Sequence, residues 1–292
     1  MHHFLALLVG ILVSIMVAAN GGLSEIYGVH AASVLIHTVG LVLITSIALL
    51  KRDRLFAKGR PWYLYLGGAI GVMTVLFTNI PFGRISVSAI LALGLFGQGV
   101  LSLIVDQYGL LGMPKHQFHK RKLLGLALVL AGIVSMITSF EIVAVLLAFI
   151  AGASIVISRT LNAKLAELTS VRISTFFNYF VGLTVASFVY LLFGRNELGF
   201  SAALNFSSSW FLYTGGALGV LMIALTNILV VKISAFYLSL LLFMGQVAAG
   251  ILIDIFLTGV FSTRNLIGGV LITLGLFTDL LIEKRSAAVQ NK

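Results

Sequence analysis

The chain of 292 residues contains no cysteine, which excludes disulfides and thiolate metal sites. Charge is scarce as well: Asp, Glu, Lys and Arg together make 10% of the residues, and only 9 are acidic. With 60% hydrophobic residues and a mean hydropathy of +1.12, too little polar material is left to cover a water-soluble surface. Neither a nucleophile-base arrangement nor a pair of catalytic carboxylates stands out in either half of the chain, so no enzymatic activity and no cofactor are expected. A P-loop is also missing, which disfavours an ATP-driven pump.

What the sequence does contain is a succession of long apolar runs separated by short polar breaks. About 20 apolar residues cross a hydrocarbon core about 30 Å thick, so a chain of this length holds about ten spans. Runs near 4–21, 31–50, 62–81, 85–110, 122–140, 142–161, 172–193, 209–230, 233–258 and 265–282 predict the helices. Strands of a barrel would alternate over about ten residues, and these runs do not alternate. The expected fold class is therefore an all-α integral membrane protein. The opening MHHFLALLVGILVSIMVAANGG has the length of a signal peptide but no Lys or Arg before its apolar run, and it is read as helix 1.

The net charge of +10 invites comparison with nucleic-acid binders until the basic residues are placed. With ten spans, 16 of the 19 Lys and Arg residues share one face: Lys51, Arg52, Arg54, Lys58, Arg60, Lys115, Lys120, Arg121, Lys122, Arg159, Lys164, Arg172, Lys232, Lys284, Arg285 and Lys292. The other 3 are Arg84, Arg195 and Arg264. Such asymmetry follows the positive-inside rule and predicts cytoplasmic termini, with the lipid bilayer as partner and no role for nucleic acid. Trp62, Tyr63 and Tyr65 begin helix 3 and Trp210, Phe211 and Tyr213 begin helix 8, as interfacial aromatics at opposite faces.

The chain also repeats itself. GGAIGVMTVLFTNI at 67–80 returns as GGALGVLMIALTNI at 215–228, and NGGLSE from Asn20 returns as NAKLAE from Asn162. VGL at 39–41 returns at 181–183, Ile85-Ser86 as Ile233-Ser234, Gly97-Gln98 as Gly245-Gln246, Asp106 as Asp254, and Arg121, Gly125 and Gly132 as Arg264, Gly268 and Gly275. The order is kept at a nearly constant offset, which indicates a tandem duplication, 1–140 followed by 141–292, of a five-helix unit. Five is odd, so the second copy enters from the opposite face and the two units are inverted. Inverted repeats are a building plan of secondary transporters, with the site at the repeat interface.

GQGVLSLIVDQYGLLGMPKHQFHKRKLLGLALVLAGI at 97–133, with its Gly-Gln, its Asp, the Gly-Leu-x-Gly-x-Pro loop and the following Arg-x-x-x-Gly, resembles the YdcZ type of inner-membrane exporter in the drug/metabolite transporter superfamily. Most members are single five-helix units thought to pair, and this chain is similar to two of them fused. The resemblance implies a bacterial inner-membrane transporter. The second copy departs in FLTGVFSTRN at 256–265, which lacks the proline and the basic run. Small multidrug transporters of the same superfamily carry an essential glutamate in helix 1, where this chain has Ser14, matched by Val156. Their proton exchange is therefore not carried over.

Polar side chains within spans are expected to face the bundle interior. Gln98 and Gln246, with Ser102 following Gln98 at four-residue spacing, are candidate substrate-site residues, or else glue between helices. His37, Asn178 and Tyr179 join them where helices 2 and 7 differ across the axis; His37 would also suit proton coupling, a single hydrogen-bonded histidine being the alternative. Asp106 and Asp254, with Glu25 and Glu167, are split between the two faces as candidate gating or coupling groups, or as interfacial carboxylates. Gly67 and Gly71, and likewise Gly215 and Gly219, lie four apart and suit helix packing or substrate contact. Asn79 and Asn227 are expected to close helices 3 and 8, and Asn20 and Asn162 are read similarly as cap or turn residues. His116 and His119 lie in the basic loop without further ligands, and no metal site is expected there. The expected function is secondary transport, most simply export of a small organic metabolite or drug by a monomer or homodimer; a non-transporting scaffold or a channel are the alternatives.

Overall fold

The computed structural model describes residues 2–53, 55, 60–108, 110, 122–137, 141–197, 210–230 and 235–290, without the side chains of 106, 122, 227, 230, 235–240, 279–280 and 283–290. Ten α-helices are present among the described residues: α1 (His2–Tyr27), α2 (Val29–Leu50), α3 (Leu66–Asn79), α4 (Val87–Tyr108), α5 (Lys122–Met136), α6 (Ile142–Leu168), α7 (Val171–Phe193), α8 (Thr214–Val230), α9 (Ala235–Thr258) and α10 (Thr263–Gln290). One 3₁₀ turn carrying the aromatic cluster leads into α3 (Trp62–Tyr65) and another into α8 (Trp210–Tyr213). By length and composition α1, α2, α4, α6, α7 and α9 are long and apolar enough to cross a membrane; apolar stretches in α5, α10 and the segment leading through α8 are shorter.

The helix limits correct the sequence reading at α8, which runs on to Val230 past Asn227, and at two longer helices. α1 continues to Tyr27 and α6 to Leu168, past Asn20-Gly21-Gly22 and past Asn162. Asn and Gly terminate helices in water by competing for, or exposing, the backbone. Buried against other helices they do neither, and the helix runs on. Asn20 and Asn162 therefore lie within helices and cap nothing. α1 ends where Gly28, at φ 91, takes the left-handed conformation and turns the chain directly into α2.

Each main packing partner comes from the other half of the chain. α1 lies against α9 and α8, and its repeat equivalent α6 lies against α4 and α3; α8 also packs on α2, as α3 does on α7. The equivalent pairs α2–α7, α4–α9 and α5–α10 touch each other. These equivalents run antiparallel. His30 at the start of α2 meets Glu197 beyond the end of α7, whereas Asp53 beyond the end of α2 meets Arg172 at the start of α7. Likewise Asp254 near the end of α9 bonds the first residues of α4, and in α5 and α10 Gly132 faces Gly268 while Gly125 faces Gly275.

Glycine sets how closely these helices approach. A Cβ on Gly152 would collide with the Gly94 carbonyl, and one on Gly10 with that of Leu242, the positions matched by the repeat. Gly97 and Gly245 are similarly closed by the carbonyls of Phe149 and Leu7, and Gly68 and Gly216 by those of Asn178 and Ile36. Without a hydrophobic drive between helices in lipid, such close approach supplies the dispersion contacts that hold them. The repeated glycines differ among themselves, however. A Cβ on Gly71 would find only Asn178 Oδ1 at 3.6 Å and Ser158 Oγ at 3.8 Å. Gly68→Ala is therefore expected to destabilise the folded protein by about 1–3 kcal/mol through forced separation of α3 and α7, with Gly71→Ala near neutral. Thermal unfolding of the two variants in the same detergent checks this, and equal melting temperatures would contradict it.

Candidate functional site

Two polar clusters lie between the halves. In the first, Asn162 of α6 donates to Asn178 Oδ1 (2.8 Å) and to Ser158 Oγ (3.3 Å), and Ser158 donates to the Gly67 carbonyl (2.8 Å). The Asn162 Oδ1 is pressed against Gly67, and Asn20 Oδ1 against Gly215, each buried without a conventional hydrogen-bond donor. Gly67 and Gly215 thus leave room for an asparagine from the other half. Gly219 leaves room for the Tyr179 hydroxyl, which donates to the Gly216 carbonyl at 3.1 Å. His37 Nδ1 donates to the Ser33 carbonyl (2.7 Å), and its ring packs on Tyr179 at 5.8 Å and on Gly182. His37 and Tyr179 are buried where α2 crosses α7, and Asn178 is buried against α3 and α6, each as part of a helix contact.

The second cluster contains a residue that the sequence reading placed elsewhere. The sequence alone puts Arg159 on the basic face; with α6 extended to Leu168 it stands 9 residues before the helix end (168 − 159), about 14 Å along the axis. Side chains in a helix lean toward its N-terminus, so the guanidinium is carried farther inward. There Arg159 Nη2 donates to Gln98 Oε1 at 3.3 Å. Gln98 stands 11 residues after Val87 and 10 before Tyr108, at the middle of α4. The basic tally of that face falls from 16 to 15. The repeat itself carried the missing signal: Arg159 matches Val17, a buried position inside α1.

Gln246, the match of Gln98, is buried beside α1, where its backbone carbonyl accepts from Ser14 Oγ at 2.8 Å. Ser102 is half-buried one turn beyond Gln98. The structure thus joins Gln98 to Arg159, His37 to Tyr179 at the α2–α7 crossing, and Asn178 to Asn162, but ties the first pair to the others by no hydrogen bond among the described residues.

The acidic candidates occupy different settings. Asp254 is buried and caps α4, accepting from Val87 N (2.8 Å), Ser88 N (3.1 Å), the Ser88 hydroxyl and Asn265 Nδ2 (3.1 Å). The first N–H groups of a helix have no partner within it, and here the Asp254 carboxyl accepts from two of them. The side chains of Asp106 and Asn227 lie outside the described residues, as do His116 and His119. Glu25 and Glu167 are exposed, the former over Gly83, which turns at φ 76. Asn79 ends α3, as expected.

An ion pair and a hydrogen-bonded carboxylate that sequence reading missed tie α2 to α7 at their ends. At one end of the bundle Arg172 donates to Asp53 (Nη2–Oδ1 2.9 Å); at the other, the Glu197 carboxylate accepts from His30 Nδ1 (2.7 Å) and from the α2 amides of His30 and Ala31 (3.1 and 2.9 Å). Repeat alignment makes His30 the match of Arg172 (30 + 142), which relates the two clasps.

Residues 1–135 and 143–278 each match the family described as "Putative inner membrane exporter, YdcZ". The chain belongs to this family. It comprises two YdcZ units in tandem, and it is a multi-pass inner-membrane protein with the membrane helices of an exporter family. Among 18 solved chains that match is one titled "Crystal structure of protein", with a TM-score of 0.65 and 15% sequence identity over 97% of this chain and 96% of that one; the likeness is one of fold. No curated protein matches the chain.

The Arg172 hydrogen bond and charge hold the Asp53 carboxyl below its usual range. A carboxylate of lowered pKa stabilises the fold above its unfolded pKa, about 4, and that contribution disappears as pH falls through the lowered value. Wild type is therefore expected to melt slightly above Asp53→Asn at pH 7 and to converge with it in strong acid. Melting curves across pH check this; a gap that widens on acidification would contradict the clasp.

Proposed function

We propose that the protein is a secondary transporter that exports small organic solutes by alternating access, with the solute held between the halves near Gln98 and Arg159. The observation that carries this reading is the antiparallel crossing of equivalent helices, α2 on α7, α4 on α9 and α5 on α10. A pseudo-twofold axis in the membrane plane relates two such units, and rocking about it exposes one central site to alternate sides. Under this proposal 1–140 and 141–292 are inverted five-helix repeats, all ten helices cross the bilayer, and both termini are cytoplasmic. The basic asymmetry of 15 residues against 3 supports the orientation.

In the same reading each face opens where α4 and α9 meet. Asp254 holds the start of α4 at one face. Asp106, its repeat partner, lies late in α4 toward the other. The Asp53–Arg172 and Glu197–His30 clasps close the ends of the α2–α7 crossing.

Because the chain has no cysteine, single cysteines report topology without background. Arg60→Cys is expected to be protected from a membrane-impermeant maleimide in intact cells, and Asn196→Cys to be labelled; labelling of both from outside would contradict ten crossings. Counterflow of labelled solutes in proteoliposomes tests the activity. Saturable exchange that requires the solute on both sides is expected, and the absence of any saturable flux across a broad panel would leave a non-transporting scaffold.

A further inference from the structure

Arg159 puts a charge where the other half has none, because its repeat equivalent in α1 is Val17. A guanidinium has five N–H donors, and here a single acceptor, Gln98 Oε1, engages it among the described residues, with no carboxylate at ion-pair distance. A cation in hydrocarbon is costly unless it is paired, hydrated or able to reach the interface. Reaching the interface does not describe Arg159, because its bond is made to the mid-helix residue of α4. The duplicated fold supplies an internal control for a purely structural role. In α1 the position of Arg159 is held by Val17, buried with Val87 and Leu91 of α4 and packed against Ile253 of α9. The same architecture therefore packs without a cation, while the glutamine is kept in both halves.

We propose that Arg159 and Gln98 anchor a monocarboxylate group on the exported solute; this rests on the transporter reading above and names the substrate class of that site. A guanidinium fork matches the planar carboxylate in geometry. Accepting from Arg159 turns Gln98 so that its Nε2 amide is left to donate to the same anion. One cation balances one negative charge, whereas a phosphate dianion would leave a charge uncompensated in a low-dielectric site.

The test uses purified full-length protein and a panel of sodium monocarboxylates from acetate to octanoate, each beside its primary amide and the alkylammonium chloride of equal length. Binding to the native state raises the melting temperature, on the order of 2 °C at ten times Kd. The expected result is a saturable rise with carboxylates alone, lost in Arg159→Val and partly retained in Arg159→Lys. Valine is chosen because Val17 shows that the fold accommodates it. Equal shifts with amides, no shift with any carboxylate, or a carboxylate shift that survives in Arg159→Val would overturn the proposal, and the first two need only the wild type. Counterflow separates the two readings. Carboxylate binding that depends on Arg159 without flux would retain the anion site and sink transport. Saturable flux of an amide or ammonium solute, unchanged in Arg159→Val, would retain transport and sink the anion site.

Discussion

Backbone contact at glycine between the two halves is the constraint on which the rest of the structure depends. Lipid solvates apolar side chains as well as protein does, so helices in a membrane gain little from burying leucine against leucine; they gain from approaching closely and from satisfying polar groups. At Gly10, Gly152, Gly97 and Gly245 a missing side chain lets carbonyls of the opposite half reach the helix surface. At Gly67 and Gly215 it admits an asparagine from the opposite half. Neither half contains the main partners of its own first, third and fourth helices. The duplicated sequence thus encodes one interlocked bundle instead of two adjoining domains.

Where the halves agree, they build the scaffold; where they disagree, they create chemistry. The glycine contacts, the Asn20 and Asn162 wedges and the central glutamines recur in register. Arg159 faces no counterpart cation, Asn178 matches Ile36, Tyr179 matches His37, and the clasp residue His30 matches Arg172. A binding site made strictly symmetric would present the same groups toward both faces. Under the proposed transport, breaking the symmetry at a few positions would give a bound solute a defined orientation while leaving the mechanical equivalence of the halves intact.

The acidic residues divide on the same physical ground. Asp254 meets the positive end of a helix with its amides unpaired, and burial there is compensated by four hydrogen bonds. Glu25 and Glu167, at corresponding positions in the long helices α1 and α6, remain exposed. Chain position made these carboxylates look like one class. Their surroundings separate a buried helix cap from two exposed carboxylates.

The sequence by itself determined the membrane environment, the helical class, the duplication and, from an odd number of helices per unit, the antiparallel relation of equivalent helices. These depend on hydropathy, run length and order, which are properties of the chain read in one dimension. Only the tertiary structure decided that α1 and α6 continue past Asn20 and Asn162, because whether Asn or Gly ends a helix depends on what covers it. Only the structure turned Arg159 from an interfacial charge into the partner of Gln98, joined Asp53 to Arg172 and Glu197 to His30, and put Asp254 on the amides of α4. Each of those pairs spans more than 60 residues of sequence, and it forms because close backbone approach brings distant segments to one place, which no local spacing records.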